Sequence, residues 1–224
     1  MHLEAERTGC RILDEKLGGF RRGEIVLLLG PPLSGKKLFS RRFIVEGLRS
    51  GEGCVVCCAN STADEEKRSL EEVYGGGVSK LMEEGRLVFI DLFSATMGFT
   101  LEEGRGVKTI PSLSDLASYN VALREVLAGM QRKELRIRLS FDSLSTLLMY
   151  NPPQTVSRFL HILFGRLRSM KVTSLFLLEE AHDKNVISLI MGFCDSVVWV
   201  RVEGSKMLIK LESESRRLDW APCE

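Results

Sequence analysis

The chain has 224 residues, of which 44% are hydrophobic, 27% charged and 7% aromatic, a balance that fits one α/β domain with an aliphatic core. Thirty-one basic and 30 acidic residues leave a formal net charge of +1, so no global field draws the protein to nucleic acid or anionic lipid. Its first ten residues do not read as a signal peptide, and no apolar run approaches the ~20 residues of a membrane helix. A cytoplasmic protein without membrane insertion is expected.

Along the chain, short apolar runs alternate with segments of helical period. Strands buried on both faces are predicted at residues 25–29, 55–59, 87–90, 137–141 and 174–178. Amphipathic helices are predicted at 36–49, 63–74, 113–131 and 155–170. The alternation implies right-handed crossovers, hence a three-layer αβα fold around a mostly parallel sheet. Residues 196–202 and 206–211, around Gly204, read as a hairpin that extends the sheet edge antiparallel. Residues 94–112 carry Gly98, Gly104, Gly106 and Pro111 among Glu102, Glu103, Arg105 and Lys108, and read as a long exposed loop. No repeat or linker divides the chain. One domain is expected over 1–224, with its core at about 8–211 and a mixed-charge tail, containing Trp220, at 212–224.

Cys54, Cys57 and Cys58 share one apolar run, and strand alternation points Cys54 and Cys57 to opposite faces. They read as small buried hydrophobes in a reducing compartment. Cys10, Cys194 and Cys223 have no partner at metal-ligand spacing, nor do His2 and His161, so zinc is not expected.

The chemistry concentrates in Gly30-Pro31-Pro32-Leu33-Ser34-Gly35-Lys36-Lys37, which follows a predicted strand and opens a predicted helix. It matches G-x-x-x-x-G-K and departs only at the last position of the motif. Gly30 and Gly35 let the backbone wrap a phosphate with its N–H groups inward. The helix N-terminus adds its positive dipole end, and Lys36 brings a point charge to the outer phosphates. Residues Gly30 to Lys37, with Leu38, are the candidate site for ATP or ADP. At Lys37 the pattern wants a hydroxyl that ligates Mg²⁺, and an ammonium has no lone pair to offer. Two readings of Lys37 stay open: direct pairing with a phosphate, or a stem that snorkels to solvent. Asp142, in Leu139-Ser140-Phe141-Asp142-Ser143, ends a predicted central strand where an acid orders Mg²⁺ through water. Its alternative role is a helix N-cap shared with Ser143 and Ser145. Glu179-Glu180-Ala181-His182-Asp183 lies at the carboxyl edge of the sheet, either sensing an outer phosphate through His182 or capping the next helix.

With these residues in place, the chain resembles the KaiC-like branch of the RecA superfamily over residues 8–211. Thr8-Gly9-Cys10-Arg11-Ile12-Leu13-Asp14, with Leu17-Gly18-Gly19-Phe20-Arg21-Arg22-Gly23-Glu24, is similar to that family's opening TGIPGLDELLGGGIPRGE. Asp142-Ser143-Leu144-Ser145-Thr146 and Val172-Thr173-Ser174-Leu175-Phe176 are similar to its acid-bearing strand and the next core strand. The resemblance implies a RecA-like P-loop fold, ATP binding and ring assembly with nucleotide between subunits.

The resemblance also exposes departures. Where the family places adjacent water-activating glutamates, this chain has Ala59-Asn60-Ser61-Thr62, and neither Asn nor Ser is a general base near neutral pH. Asp64 and Glu65, a turn later beside Glu66, are the remaining candidates for a catalytic base, and exposed first-turn helix acids are their plainer reading. The family's Lys-x-Arg pair, which reaches a neighbour's phosphate, is replaced near Lys210-Leu211-Glu212-Ser213-Glu214-Ser215, with Arg216 or Arg217 as substitutes. The expected function is a nucleotide-binding regulatory or assembly protein, at most a weak ATPase, with Mg²⁺ weakly held. It would work as a homo-oligomer or with a related KaiC-like or signalling protein. The alternatives are an active ATPase using Asp64 or Glu65, and a recombinase-like DNA-binding protein using the 94–112 loop. That loop balances its acids with bases and has one aromatic, Phe99, so nucleic acid is not the expected partner.

Overall fold

The computed structural model describes residues 5–99 and 104–223, so the readings of His2, Glu102 and Glu103 fall outside the described residues. In chain order, β1 (Ala5–Glu6) and β2 (Phe20–Arg21) form a small antiparallel pair on either side of α1 (Arg11–Leu17). β3 (Ile25–Gly30) leads into α2 (Lys36–Arg49), β4 (Gly53–Cys58), α3 (Ala63–Tyr74), α4 (Val78–Glu83) and β5 (Leu87–Asp91). A short α5 (Phe93–Thr96) and β6 (Val107–Thr109) precede α6 (Leu116–Arg132), β7 (Ile137–Phe141), α7 (Leu144–Tyr150) and α8 (Pro153–Ser169). β8 (Thr173–Glu179), α9 (Lys184–Met191), β9 (Ser196–Glu203), β10 (Lys206–Ser213) and β11 (Arg217–Pro222) complete the chain.

The main sheet runs β11-β10-β9-β3-β8-β7-β4-β5-β6. All neighbours from β9 to β6 are parallel, and only β9–β10 and β10–β11 are antiparallel. Parallel neighbours need crossovers, and the crossover helices cover both faces. Because a strand alternates its faces, Leu27, Leu29 and Val55 pack toward α6, α7, α8 and α9, against Leu123, Leu147, Leu160 and Ile190. Val26, Leu28 and Val56 face the other layer, against Leu13, Phe39, Phe43 and Leu70. The expected three-layer α/β architecture is what forms.

Two segments depart from the expected plan. Residues 217–222, read as tail, form an edge strand, where charged residues stay in solvent and no apolar alternation is required. Trp220 of this strand lies beneath the Arg201 guanidinium, 4.0 Å from the ring centroid. The 94–112 segment takes in most of α5 and the three-residue β6, which pairs with Phe89, Ile90 and Asp91 of β5 and is too short to show a period.

The cysteines divide into two groups. Cys54, Cys57 and Cys58 are buried on alternate faces, and burial pushes the Cys57 thiol up to about 12 and the Cys54 and Cys58 thiols upward too, so all three are inert near neutrality. Cys10 and Cys223 have no partner by sequence spacing, yet they form a disulfide across 213 residues with Cα atoms 5.3 Å apart. The edge strand β11 carries the chain back to Cys10, just before α1. Arg138, wholly buried in β7, adds a polar tie: it donates to Glu52 Oε1 at 2.9 Å and to the carbonyl of Phe43 at 3.1 Å.

Candidate nucleotide site

The loop between β3 and α2 owes its shape to its two glycines. A Cβ on Gly30 would lie 2.2 Å from the Val200 carbonyl oxygen of β9, so only glycine lets the two backbones approach. Gly35 adopts φ +89, and a Cβ there would lie 2.7 Å from Met207 Sδ of β10. Gly35 is the N-cap of α2 and supplies no side-chain cap, so the donors of the first helical turn face the loop. Leu33, fully exposed at the apex, holds φ +59, a left-handed conformation that costs a non-glycine residue about 1 kcal/mol. The loop walls a cavity of about 460 Å³, completed by Asn60 just after β4, Asp142 and Ser143 just after β7, and Leu177 and Glu179 from β8.

Lys36 is 6% exposed, and its ammonium is held from several sides. It donates to the Gly30 carbonyl at 2.8 Å, the Pro31 carbonyl at 2.6 Å, Ser34 Oγ at 3.2 Å and Glu179 Oε2 at 3.0 Å. Glu179 is placed by the register of β8, in which it is the direct partner of Gly30, and by its backbone N–H, which donates to Ser145 Oγ at 3.0 Å. The sequence directs attention to His182 in this segment, whereas the side chain that reaches the loop is Glu179. Its signal is positional: it is the last residue of the strand beside the phosphate loop. Asp183 takes the capping role, accepting from the Asn185 and Val186 N–H groups at the start of α9.

Of the two readings of Lys37, the geometry disfavours the one in which its stem runs out to solvent. Its Nζ turns inward, 3.8 Å from Asp142 Oδ2 and 3.5 Å from Ser61 Oγ. Asp142 also accepts from the N–H groups of Ala59 at 2.7 Å and Asn60 at 3.2 Å and from Ser61 Oγ at 3.1 Å. It is not the cap of α7; Ser143 is, accepting from the Thr146 N–H at 3.0 Å. Burial raises the Asp142 carboxyl to about 6, against the opposing pull of Lys37 and the Ala59 N–H. A P-loop Mg²⁺ requires a hydroxyl at position 37 and an acid with lone pairs to spare for its water. Here an ammonium stands at that position and the acid already serves three donors, so this donor set does not fit the ion. Among the described residues no other group of three or more His, Cys, Asp or Glu could hold a metal.

The candidate bases are placed less favourably. Glu65 forms a capping box with Thr62: its N–H donates to Thr62 Oγ1 at 3.1 Å, and its carboxylate accepts the Thr62 N–H at 3.0 Å. That backbone hydrogen bond holds its pKa below the usual carboxylate value, which weakens it as a base. Glu66 is buried against Arg41, with contacts of 2.7 and 2.9 Å, and Asp64 is exposed on the same turn. Asn60 is exposed at the cavity, and Ser61 is buried beneath it.

The two arginines named as substitutes differ in their surroundings, Arg216 being held within the chain and Arg217 exposed. Arg216 is bound by Glu24 and donates to the Gly19 carbonyl at 2.9 Å, and Arg217 pairs with Asp219 at 3.3 Å. Lys210 pairs with Glu212 at 2.8 Å. A second cavity of about 440 Å³ opens at the amino edge of the sheet, where Glu24 is taken by Arg216 and Asp195 by Arg168. His161, exposed on α8, packs edge-on against Phe193, with ring centroids 5.5 Å apart.

Comparison with known proteins gives the family and the fold. The family model described as "ATPase: KaiC" matches residues 6–206. A UPF0273 protein of Thermotoga maritima is 31% identical over 152 residues, covering 67% of this chain and 60% of that protein. A UPF0273 protein of Pyrococcus furiosus is 29% identical over 157 residues, covering 70% of this chain and 61% of that protein. The chain therefore matches less than two thirds of the length of these relatives. The crystal structure of a KaiC-like protein from Pyrococcus horikoshii superposes with a TM-score of 0.71 at 18% identity, covering 98% of this chain and 91% of the other, which establishes the fold. With the family's pattern matched over most of its length, this chain belongs to the KaiC family of RecA-type P-loop ATPases.

Proposed function

We propose that the chain is a nucleotide-binding domain that acts in regulation or assembly and hydrolyses ATP slowly or not at all. The observation that carries the reading is the Lys37 ammonium, 3.8 Å from Asp142, at the position where the motif needs a metal-ligating hydroxyl. What binding requires is retained: a glycine-shaped loop, an uncapped helix N-terminus and a buried lysine. What turnover requires is weakened, because Ala59-Asn60-Ser61, with no glutamate, directly follows β4 and the metal's donor set is altered. Lys37 supplies in a covalently attached form part of the positive charge that Mg²⁺ supplies elsewhere, so binding of ATP or ADP is metal-independent. The partner is a second copy of this chain or a related KaiC-family protein, and the association depends little on ATP because Arg216 is bound in its own chain by Glu24.

The test is calorimetric titration with ADP and ATP in chelator and again in excess Mg²⁺, with Lys36→Ala as control. The expected result is binding that Lys36→Ala abolishes and that Mg²⁺ changes by less than about threefold, or under about 1 kcal/mol. Binding that appears only with Mg²⁺ defeats the metal-independent reading.

A further inference from the structure

We infer that Glu179 makes this site selective for nucleoside diphosphates over triphosphates. The inference rests on the P-loop reading above and concerns which phosphate chain the loop accepts.

In a loop of this kind, the backbone N–H groups hold the inner phosphates and the lysine reaches the outermost ones. The outermost phosphate of a triphosphate therefore approaches the Lys36 ammonium. In this chain that ammonium is occupied: Glu179 Oε2 stands 3.0 Å from it. The carboxylate is no wandering surface group. Its backbone is fixed by pairing with Gly30 across β3 and β8 and by the bond from its N–H to Ser145 Oγ at 3.0 Å. The side chain is about one-third exposed and faces the loop cavity, so a ligand meets its negative charge directly.

The charge count of the cavity points the same way. Two ammoniums, Lys36 and Lys37, face two carboxylates, Glu179 and Asp142, each within 4 Å of its partner. Among the described residues that line the cavity, no cationic side chain is left in surplus for a third phosphate, and the donor set does not fit the Mg²⁺ that would neutralise one. A diphosphate brings one phosphate, its last, to Lys36, where a triphosphate brings two. A triphosphate either brings its last phosphate against a carboxylate or must drive Glu179 away from Lys36. Like-charge contact of this kind discriminates between ligands by repulsion.

The experiment compares ADP and ATP by calorimetry in chelator, on wild type, Glu179→Gln and Lys36→Ala. Glutamine keeps an acceptor for Lys36 and removes the charge. The expected result is that wild type binds ADP at least about tenfold more tightly than ATP, equivalent to about 1.4 kcal/mol, and that Glu179→Gln narrows the ratio to within about threefold, mainly by improving ATP. Competition between pyrophosphate and tripolyphosphate on the unmodified protein measures the same preference without any variant. Equal or tighter binding of ATP by wild type overturns the inference, as does a preference that survives Glu179→Gln or a variant that loses ADP binding. Failure of wild type to bind either nucleotide overturns the P-loop reading itself, and the selectivity with it. ADP binding that Lys36→Ala abolishes, joined to an unaltered ratio in Glu179→Gln, preserves that reading and removes only the selectivity.

Discussion

The Lys37 ammonium lies 3.8 Å from Asp142 Oδ2, so two groups at the heart of the phosphate loop satisfy each other where a hydroxyl and an acid would share an ion. Replacing the lysine should therefore create a metal requirement. Lys37→Thr restores a hydroxyl at the start of α2 and frees Asp142 from its ion pair. We expect nucleotide affinity of this variant to rise at least about tenfold on adding Mg²⁺, against less than about threefold for wild type. Titrations at fixed ionic strength check it, and a variant as indifferent to Mg²⁺ as wild type would show that position 37 does not set the metal response.

Asp142 predicts how stability changes with pH. Its folded-state pKa, about 6, lies above its ordinary value of 3.8, so the folded protein takes up this proton more readily than the unfolded chain. The charged carboxylate is the costly form. Its penalty is absent below about pH 4, grows between about pH 4 and 6, and is complete above that, at about 2–3 kcal/mol as an upper figure. Asp142→Asn carries no such charge. The stability difference between variant and wild type should move toward the variant as pH rises from 4 to 7, in denaturant titrations at each pH. A difference that does not change with pH removes the effect.

Much of this site was readable from the chain, and what was not readable has a physical reason. The bounds of α2 and α3 coincide with the expected 36–49 and 63–74 because local signals set them: Gly35 at one start, the Thr62–Glu65 capping box at the other. Asp142 was placed beside the loop because buried parallel strands align their carboxyl ends. The departure at Lys37 was visible as a departure, but the destination of its ammonium depended on Asp142, a residue far away in sequence. Glu179 was missed for the same reason, since its contact with Lys36 arises from the β3–β8 register. β6 and β11 escaped notice because one has three residues and the other is a solvated edge, so neither needs an apolar period.

The Cys10–Cys223 pair is expected to carry much of the domain's thermal stability. A crosslink across 213 residues restricts the unfolded chain over nearly its full length. In the chain-entropy account such a loop is worth up to about 5 kcal/mol. Reduction should lower the melting temperature by roughly 10 °C or more for a chain of this size. Cys223→Ser should melt with the reduced wild type and ignore reductant. Equal melting temperatures with and without reductant would refute the crosslink's contribution.

Hydrolysis gives the sharpest comparison, because metal and base serve one transition state. Wild type should turn over far below the ~1 s⁻¹ that marks the low end of typical enzymes. The structure selects Asn60 over Ser61 as the position for a restored base. Asn60 is exposed at the cavity, whereas Ser61 is buried and donates to Asp142 at 3.1 Å, so a glutamate at 61 would set a second carboxylate against the first. A positioned base is worth ~10²–10⁴ in rate, on the order of 3–5 kcal/mol of barrier. Asn60→Glu alone recovers little of that while Lys37 still occupies Asp142, and Lys37→Thr alone supplies a hydroxyl with no base to use it. The two together should exceed the product of their separate gains and reach at least about 10² over wild type, since coupled residues do not add. Phosphate release under single-turnover conditions reads all four proteins. A double variant no faster than Asn60→Glu would detach the metal position from the loss of turnover, and a wild type already near ~1 s⁻¹ would end the impaired-ATPase reading.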